Sequence, residues 1–145
     1  MYQHILIATD GSELAEKAVS AGLNLAKALN ARVLAVTVSE AWAAYAAPEI
    51  MMPYPNTDYE RFAAEQAEKI LSSVAKSAAA IGVQCATLHV SDRYPADGIV
   101  DAAKDRGCDL IVMASHGRRG LARLLLGSQA MQVLTHSPVP VLICR

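Results

Sequence analysis

This chain is short of aromatic residues, cysteine and net charge, and each shortage excludes something. One Phe, one Trp and five Tyr are spread over 145 residues, too few rings for a surface that stacks nucleic-acid bases. The formal net charge is −1, so there is no chain-wide basic excess to displace counterions from a phosphate backbone, and only a local patch remains for that. Cys85, Cys108 and Cys144 stand far apart and odd in number. They form neither a CxxC nor a metal-ligand spacing and read as buried, reduced thiols of a cytoplasmic protein. No apolar run approaches the ~18 residues of a membrane span. Met1 to His4 carry no basic region, and the apolar stretch after them stops at Asp10, so no signal peptide is expected.

Several enzyme signatures are missing as well. There is no GxxxxGK[ST] loop, and no GxGxxG follows the first apolar run, which argues against a P-loop NTPase and a dinucleotide enzyme. A phospho-receiver would want an acidic pair after strand one, a phosphoacceptor after strand three and a lysine ending strand five. The chain offers Asp10 alone, Asp92 near the second place, and Cys144-Arg145 at the third.

What is present is a globular composition, 53% hydrophobic and 19% charged. Its length suits one domain that buries roughly two-thirds of its extended surface. Two periodicities alternate. Short apolar runs at 4–9, 32–38, 84–90, 109–114 and 139–144 read as strands. Helical spacing fills 13–29, the stretch from 58 or 59 to 81, 96–106 and 128–135. The second helix sets Phe62, Ala67, Ile70, Leu71, Val74 and Ala78 on its inner side. Asn30, Gly82 and Gly107 read as helix stops. Pro140 cannot donate to a ladder, so the last strand should lie at an edge or start late.

Five strands alternating with helices predict an α/β fold: an open, mostly parallel sheet covered on both faces. Right-handed crossovers give the order 3-2-1-4-5, with the switch point between strands one and four. Ligands of such sheets sit outside the carboxyl ends of the strands at that crevice. Thr9-Asp10-Gly11 would there face residues 114–117. The segment from Ser39 to Thr57 fits no element. It holds three prolines, two methionines and the only tryptophan, and reads as a lid or partner-binding loop, or as a surface excursion packed on the next helix.

The densest chemistry lies in residues 110–130, LIVMASHGRRGLARLLLGSQA. An apolar strand runs into a glycine loop, and Gly127-Ser128 opens the next helix. Main-chain amides bared near Gly117 and Gly127 are expected to cradle an anion beside Asp10. Ser128 would cap that helix or donate its hydroxyl to a phosphate. Arg118, Arg119 and Arg123 add positive charge beside the loop. The Asp10 carboxylate would accept from ribose hydroxyls, or else close an Asx turn or cap the helix. His116 adjoins the loop, but a general base needs a positioned partner and none is evident. At most slow hydrolysis of a bound phosphate ligand is expected. No metal cluster is visible, so a Mg²⁺ or Mn²⁺ would be held through phosphates and water. Gly127→Val is expected to block phosphate approach and leave the fold largely intact.

Gly117, nine residues, then Gly127-Ser128 resembles the G-x2-G-x9-G-S/T motif of universal stress proteins. The likeness spans the whole chain, through the ILIATDGS opening, VLAVTV, and the SPVPVLICR ending. It implies a Rossmann-like domain of residues 1–145, a homodimer, and ATP or a related adenine nucleotide as ligand. By resemblance, Asp10 contacts the ribose and the Val38 main chain meets the adenine. Ala8 and Thr9 line the base pocket. Gly117, Gly127 and Ser128 hold the phosphates, with His116, Arg118 and Gln129 beside them. The final strand, Val139 to Cys144, pairs with its twin through Val139, Val141 and Ile143. One position departs from the motif: its first glycine is Ala114. If that place needs the left-handed region, alanine costs roughly 1–2 kcal/mol; if it needs only a small residue, one methyl fits. Two functions follow, a nucleotide-binding regulatory module of the stress response and a dimeric stress-response interaction protein that binds no nucleotide.

Overall fold

A computed structural model of the chain describes residues 1–40, 57–117 and 126–145. Most of the segment after Ser39 therefore lies outside the described residues, as do Arg118, Arg119, Gly120 and Arg123. The elements run β1 (His4–Ala8), α1 (Glu13–Leu29), β2 (Arg32–Ser39), α2 (Thr57–Ala80), β3 (Cys85–Ser91), α3 (Pro95–Asp105), β4 (Leu110–Ala114), α4 (Ser128–His136) and β5 (Val141–Cys144). All strand pairs are parallel, and the sheet order is β3-β2-β1-β4-β5, as the alternation predicts.

Side chains of successive strand residues point to opposite faces, and this sheet is covered on both. Ile5, Ile7, Val33, Ala35 and Val112 pack under α1 and α2. Leu6, Ala8, Leu34, Val36 and Ile111 pack under α3 and α4. Ile5, Leu6 and Ile7 are fully buried, each contributing about 1.5–3 kcal/mol. That is why β1 carries no polar residue between His4 and Thr9.

Chain stops fall where the backbone can turn. Asn30 (φ 54°) and Gly107 (φ 65°) take the left-handed conformation after α1 and α3, which ends a helix at little steric cost. The Asp109 carboxylate accepts from the amides of Gln3 (2.8 Å) and His4 (3.1 Å), so the starts of β1 and β4 are pinned together.

Two sequence expectations need correction. Phe62 does not face the core; it is 60% exposed. Ser128 is not the cap of α4: Gly127 is the N-cap residue, no described side chain caps the helix, and Ser128 is its first helical residue. The last strand lies at the edge and starts late, as Pro140 leads one to expect, at Val141 rather than Val139; the Pro140 carbonyl still accepts from the Ile111 amide.

Candidate functional site

The carboxyl ends of β1 and β4 part at the switch point, and short polar turns line the gap. After β1 the Thr9 amide makes a last ladder bond to Val36 O (2.9 Å). Thr9 Oγ1 then accepts from the Gly11 amide (3.2 Å) and Asp10 Oδ1 from the Ser12 amide (2.9 Å). Ser12 Oγ accepts from the Ala15 amide (3.2 Å) and caps α1. Asp10 thus closes an Asx turn, while Ser12, which the sequence reading passed over, is the cap. An S/T-x-x-E pattern, Ser12 to Glu16 being one residue too long, did not mark it.

Asp10 Oδ2 looks across the gap. A methyl built on Gly117 would stand 2.8 Å from that oxygen. Gly117 has no positive φ, so glycine is needed there for close approach to the carboxylate, not for its backbone freedom. Ala114 ends β4 in ordinary strand conformation, and its methyl packs with the core under α1 and α2. Of the two demands the motif glycine might make, the left-handed one does not arise here.

β4 continues into Ser115, whose side chain is buried and whose amide donates to Cys144 O (2.8 Å). Ser115 Oγ and His116 Nδ1 are 3.0 Å apart, in hydrogen-bond contact. Ser115 O accepts from the Gly127 amide (2.8 Å). A methyl on Gly127 would come 2.9 Å from that carbonyl, 3.4 Å from His116 Cα and 3.5 Å from His116 Cδ2. The glycine seats α4 on the end of β4. This corrects one premise of the anion cradle: the Gly127 amide is already engaged. The donors left at the start of α4 are the amides of Ser128, Gln129 and Ala130. None has an acceptor among the described residues, and the first intrahelical bond joins Met131 to Gly127; Ser128 and Gln129 are the outermost of the three. Gln129 Oε1 accepts from the Ala96 amide of α3 (3.0 Å).

Val38 lies on β2 beyond the end of β1. Val36 turns its carbonyl to β1, and alternation turns the Val38 N–H and C=O the same way, where no described residue meets them. Ala8 and Thr9 are buried at the floor of this corner. The structure thus gathers Asp10, Ser115, His116, Gly117 and Gly127 at one rim, with Val38 at the other and Ser128 and Gln129 heading α4. Arg118 lies outside the described residues.

Burial pushes up the thiols of Cys85 and Cys144, and that of Cys108 to about 11. All three are free thiols and stay protonated at neutral pH, but only Cys108 is buried as expected; Cys85 and Cys144, on the two edge strands, are half-buried. No group of three or more metal-ligating side chains forms among the described residues. No helix among them is long and apolar enough to cross a membrane.

The whole chain is similar to known proteins in sequence and fold. The family model described as "Universal stress protein family" matches residues 1–145. Universal stress protein YxiE of Bacillus subtilis is 33% identical over 100% of both chains. The Methanocaldococcus jannaschii protein MJ0577 has a similar structure, with a TM-score of 0.81 at 30% identity over 99% of this chain and 96% of that one. A universal stress protein solved in complex with cAMP has a TM-score of 0.72 at 26% identity, over 99% of this chain and 97% of its own. With sheet order and full-length similarity in agreement, the chain belongs to the universal stress protein family.

Proposed function

We propose that this protein is a regulatory module of the stress response that binds ATP or a related adenine nucleotide across the β1–β4 crevice, in the cytoplasm and as a homodimer paired through β5. The observation that carries the reading is the uncapped start of α4. Ser128 and Gln129 present two amides with no acceptor among the described residues, at the positive end of a helix dipole. Phosphates fit there, and Gly117 lets the loop close against the Asp10 carboxylate at the same rim. The base then falls toward the Val38 main chain, which offers one donor and one acceptor, and the ribose lies between, beside the Asp10 carboxylate. That a relative 26% identical was solved with cAMP supports an adenine ligand. The Ala114 departure does not weigh against it, because the methyl points into the core.

A divalent cation would be held by the phosphates and water, Asp10 being the carboxylate nearest the rim among the described residues. The chain's own part is to bind and orient. His116 meets Ser115 through Nδ1 and no described carboxylate orients it, so turnover beyond slow hydrolysis is not expected.

The test is a thermal-shift titration with Mg-ATP, with cAMP as second probe. Ligand at 100 times its dissociation constant adds about 2.7 kcal/mol, which raises the melting temperature by about 5–10 °C for a chain near this size. No shift with either ligand at millimolar concentration overturns the reading and favours a nucleotide-free dimeric module.

A further inference from the structure

Helices α3 and α4 lie side by side on one face of the sheet, and α3 starts bare. Its N-cap residue, Tyr94, makes no side-chain hydrogen bond. The Ala96 amide is met instead from the neighbouring helix, by Gln129 Oε1 at 3.0 Å. The same turn is fastened at its other side to the tip of β2. The Arg93 amide donates to Ser39 O (3.4 Å). A methyl on Gly98 would stand 3.0 Å from Val38 Cγ2 and 3.1 Å from Cγ1, so α3 rests directly on Val38. An ion pair of Arg93 with Asp101 ties the turn to its own helix. The first turn of α3 therefore touches both ends of the proposed nucleotide site, the base edge at Val38 and the phosphate cradle at Ser128 and Gln129.

We infer that Gln129 is a positioning residue: it holds the phosphate cradle at a fixed distance from the base edge, with the first turn of α3 as the strut between them. The inference rests on the nucleotide reading above. The Gln129 side-chain oxygen is engaged by Ala96, so its contribution is made through α3, while its main-chain amide faces the ligand. A ligand that binds at two places gains from their being held in register, because the second contact becomes intramolecular. Loosening the strut leaves each place able to bind its own half. What is lost is the advantage of a ligand that spans both.

The experiment is calorimetric titration of the full chain with three Mg²⁺-containing probes: adenosine, inorganic tripolyphosphate and ATP. The variants are Gln129→Leu, and Gln129→Leu with Tyr94→Ser, the serine giving α3 an N-cap hydroxyl of its own. The expected result for Gln129→Leu is ATP affinity about tenfold weaker, with adenosine and tripolyphosphate within about twofold of the unaltered protein. Adding Tyr94→Ser should restore the melting temperature and leave ATP binding weak. The double variant carries the comparison if the single one is too unstable to titrate. Three results overturn the inference: ATP affinity unchanged in Gln129→Leu, all three probes weakened alike, or ATP binding recovered together with stability by Tyr94→Ser. If the unaltered protein binds none of the probes, the nucleotide reading falls and takes the strut with it. If it binds both halves but ATP no tighter than either, only the strut falls.

Discussion

Gly127→Ala separates two explanations of the motif glycine. If glycine is there only to admit phosphate, alanine should lower affinity and leave stability alone. The geometry says otherwise. The new methyl would stand 2.9 Å from Ser115 O, about 0.5 Å inside an ordinary contact, and its neighbour is main chain in the closing turn of β4. Relief requires the first turn of α4 to move out, which lengthens the Gly127–Ser115 hydrogen bond, now 2.8 Å. Overpacking costs about 1–3 kcal/mol and a weakened hydrogen bond about 1 kcal/mol. The backbone at Gly127, φ −60° and ψ 156°, suits alanine, which returns about 0.4–1 kcal/mol through the unfolded state. The net is a loss of about 2 kcal/mol, or about 4–8 °C in melting temperature. Gly117→Ala is the internal control. Its methyl meets a side-chain oxygen, Asp10 Oδ2, which can move more easily than main chain; disturbing the bond from the Ser12 amide costs about 1 kcal/mol. Calorimetry on both variants, alone and with Asp10→Ala, gives the answer. The Gly117 increment should vanish with Asp10→Ala and the Gly127 increment persist. Gly127→Ala melting within 1 °C of the unaltered protein would refute the steric reasoning. The same geometry withdraws Gly127→Val as a clean phosphate probe, since the larger side chain attacks the fold first.

A cleaner probe is Ser128→Pro. The first helical position tolerates proline, and the substitution removes one cradle amide; ATP affinity should fall about tenfold below that of Ser128→Ala, read by titration. Ser12→Ala should lose the α1 cap, about 1 kcal/mol in urea denaturation, without changing ligand binding. His4 has a buried Nδ1 with no described partner, and burial, then Arg32, lower its pKa; burial lowers that of His89. The unfolded chain therefore takes up protons first, so stability is whole above about pH 6.5 and declines as pH falls. His4→Gln should flatten that decline in melting temperature between about pH 7 and pH 5, and an unchanged slope would count against it. Sedimentation at micromolar concentration should show a dimer; monomer alone would contradict pairing through β5.

The sheet was readable in the sequence because its central strands, β1, β2 and β4, are near-continuous apolar runs of the kind a doubly covered parallel sheet accommodates. Handedness rules then leave little choice of order. Phe62 was placed on the wrong side of its helix. Helical phase is the reason: at about 100° per residue, Phe62, nine residues before Leu71, lies on the opposite side of α2, while Tyr59, Ala63 and Gln66 on the inner side are half-buried. At Gly127-Ser128 both residue types are good caps, and the choice was made by a main-chain bond to Ser115. Such bonds leave no mark on residue identity, which is why the engaged amide at Gly127 and the Gln129–Ala96 link went unread. Ala114 was undecidable for the same reason, since φ is not written in the side chain.

Proline at a sheet margin ordinarily guards against recruitment of foreign strands. In this chain the guard faces inward. The Pro140 carbonyl is turned to β4, where Ile111 uses it, so the missing N–H would have pointed there too. The N–H and C=O of Val141 and Ile143 look outward with nothing among the described residues against them. The rim is thus left armed, with alternate residues setting the only register in which an incoming strand can dock, and solubility at high concentration depends on what occupies it.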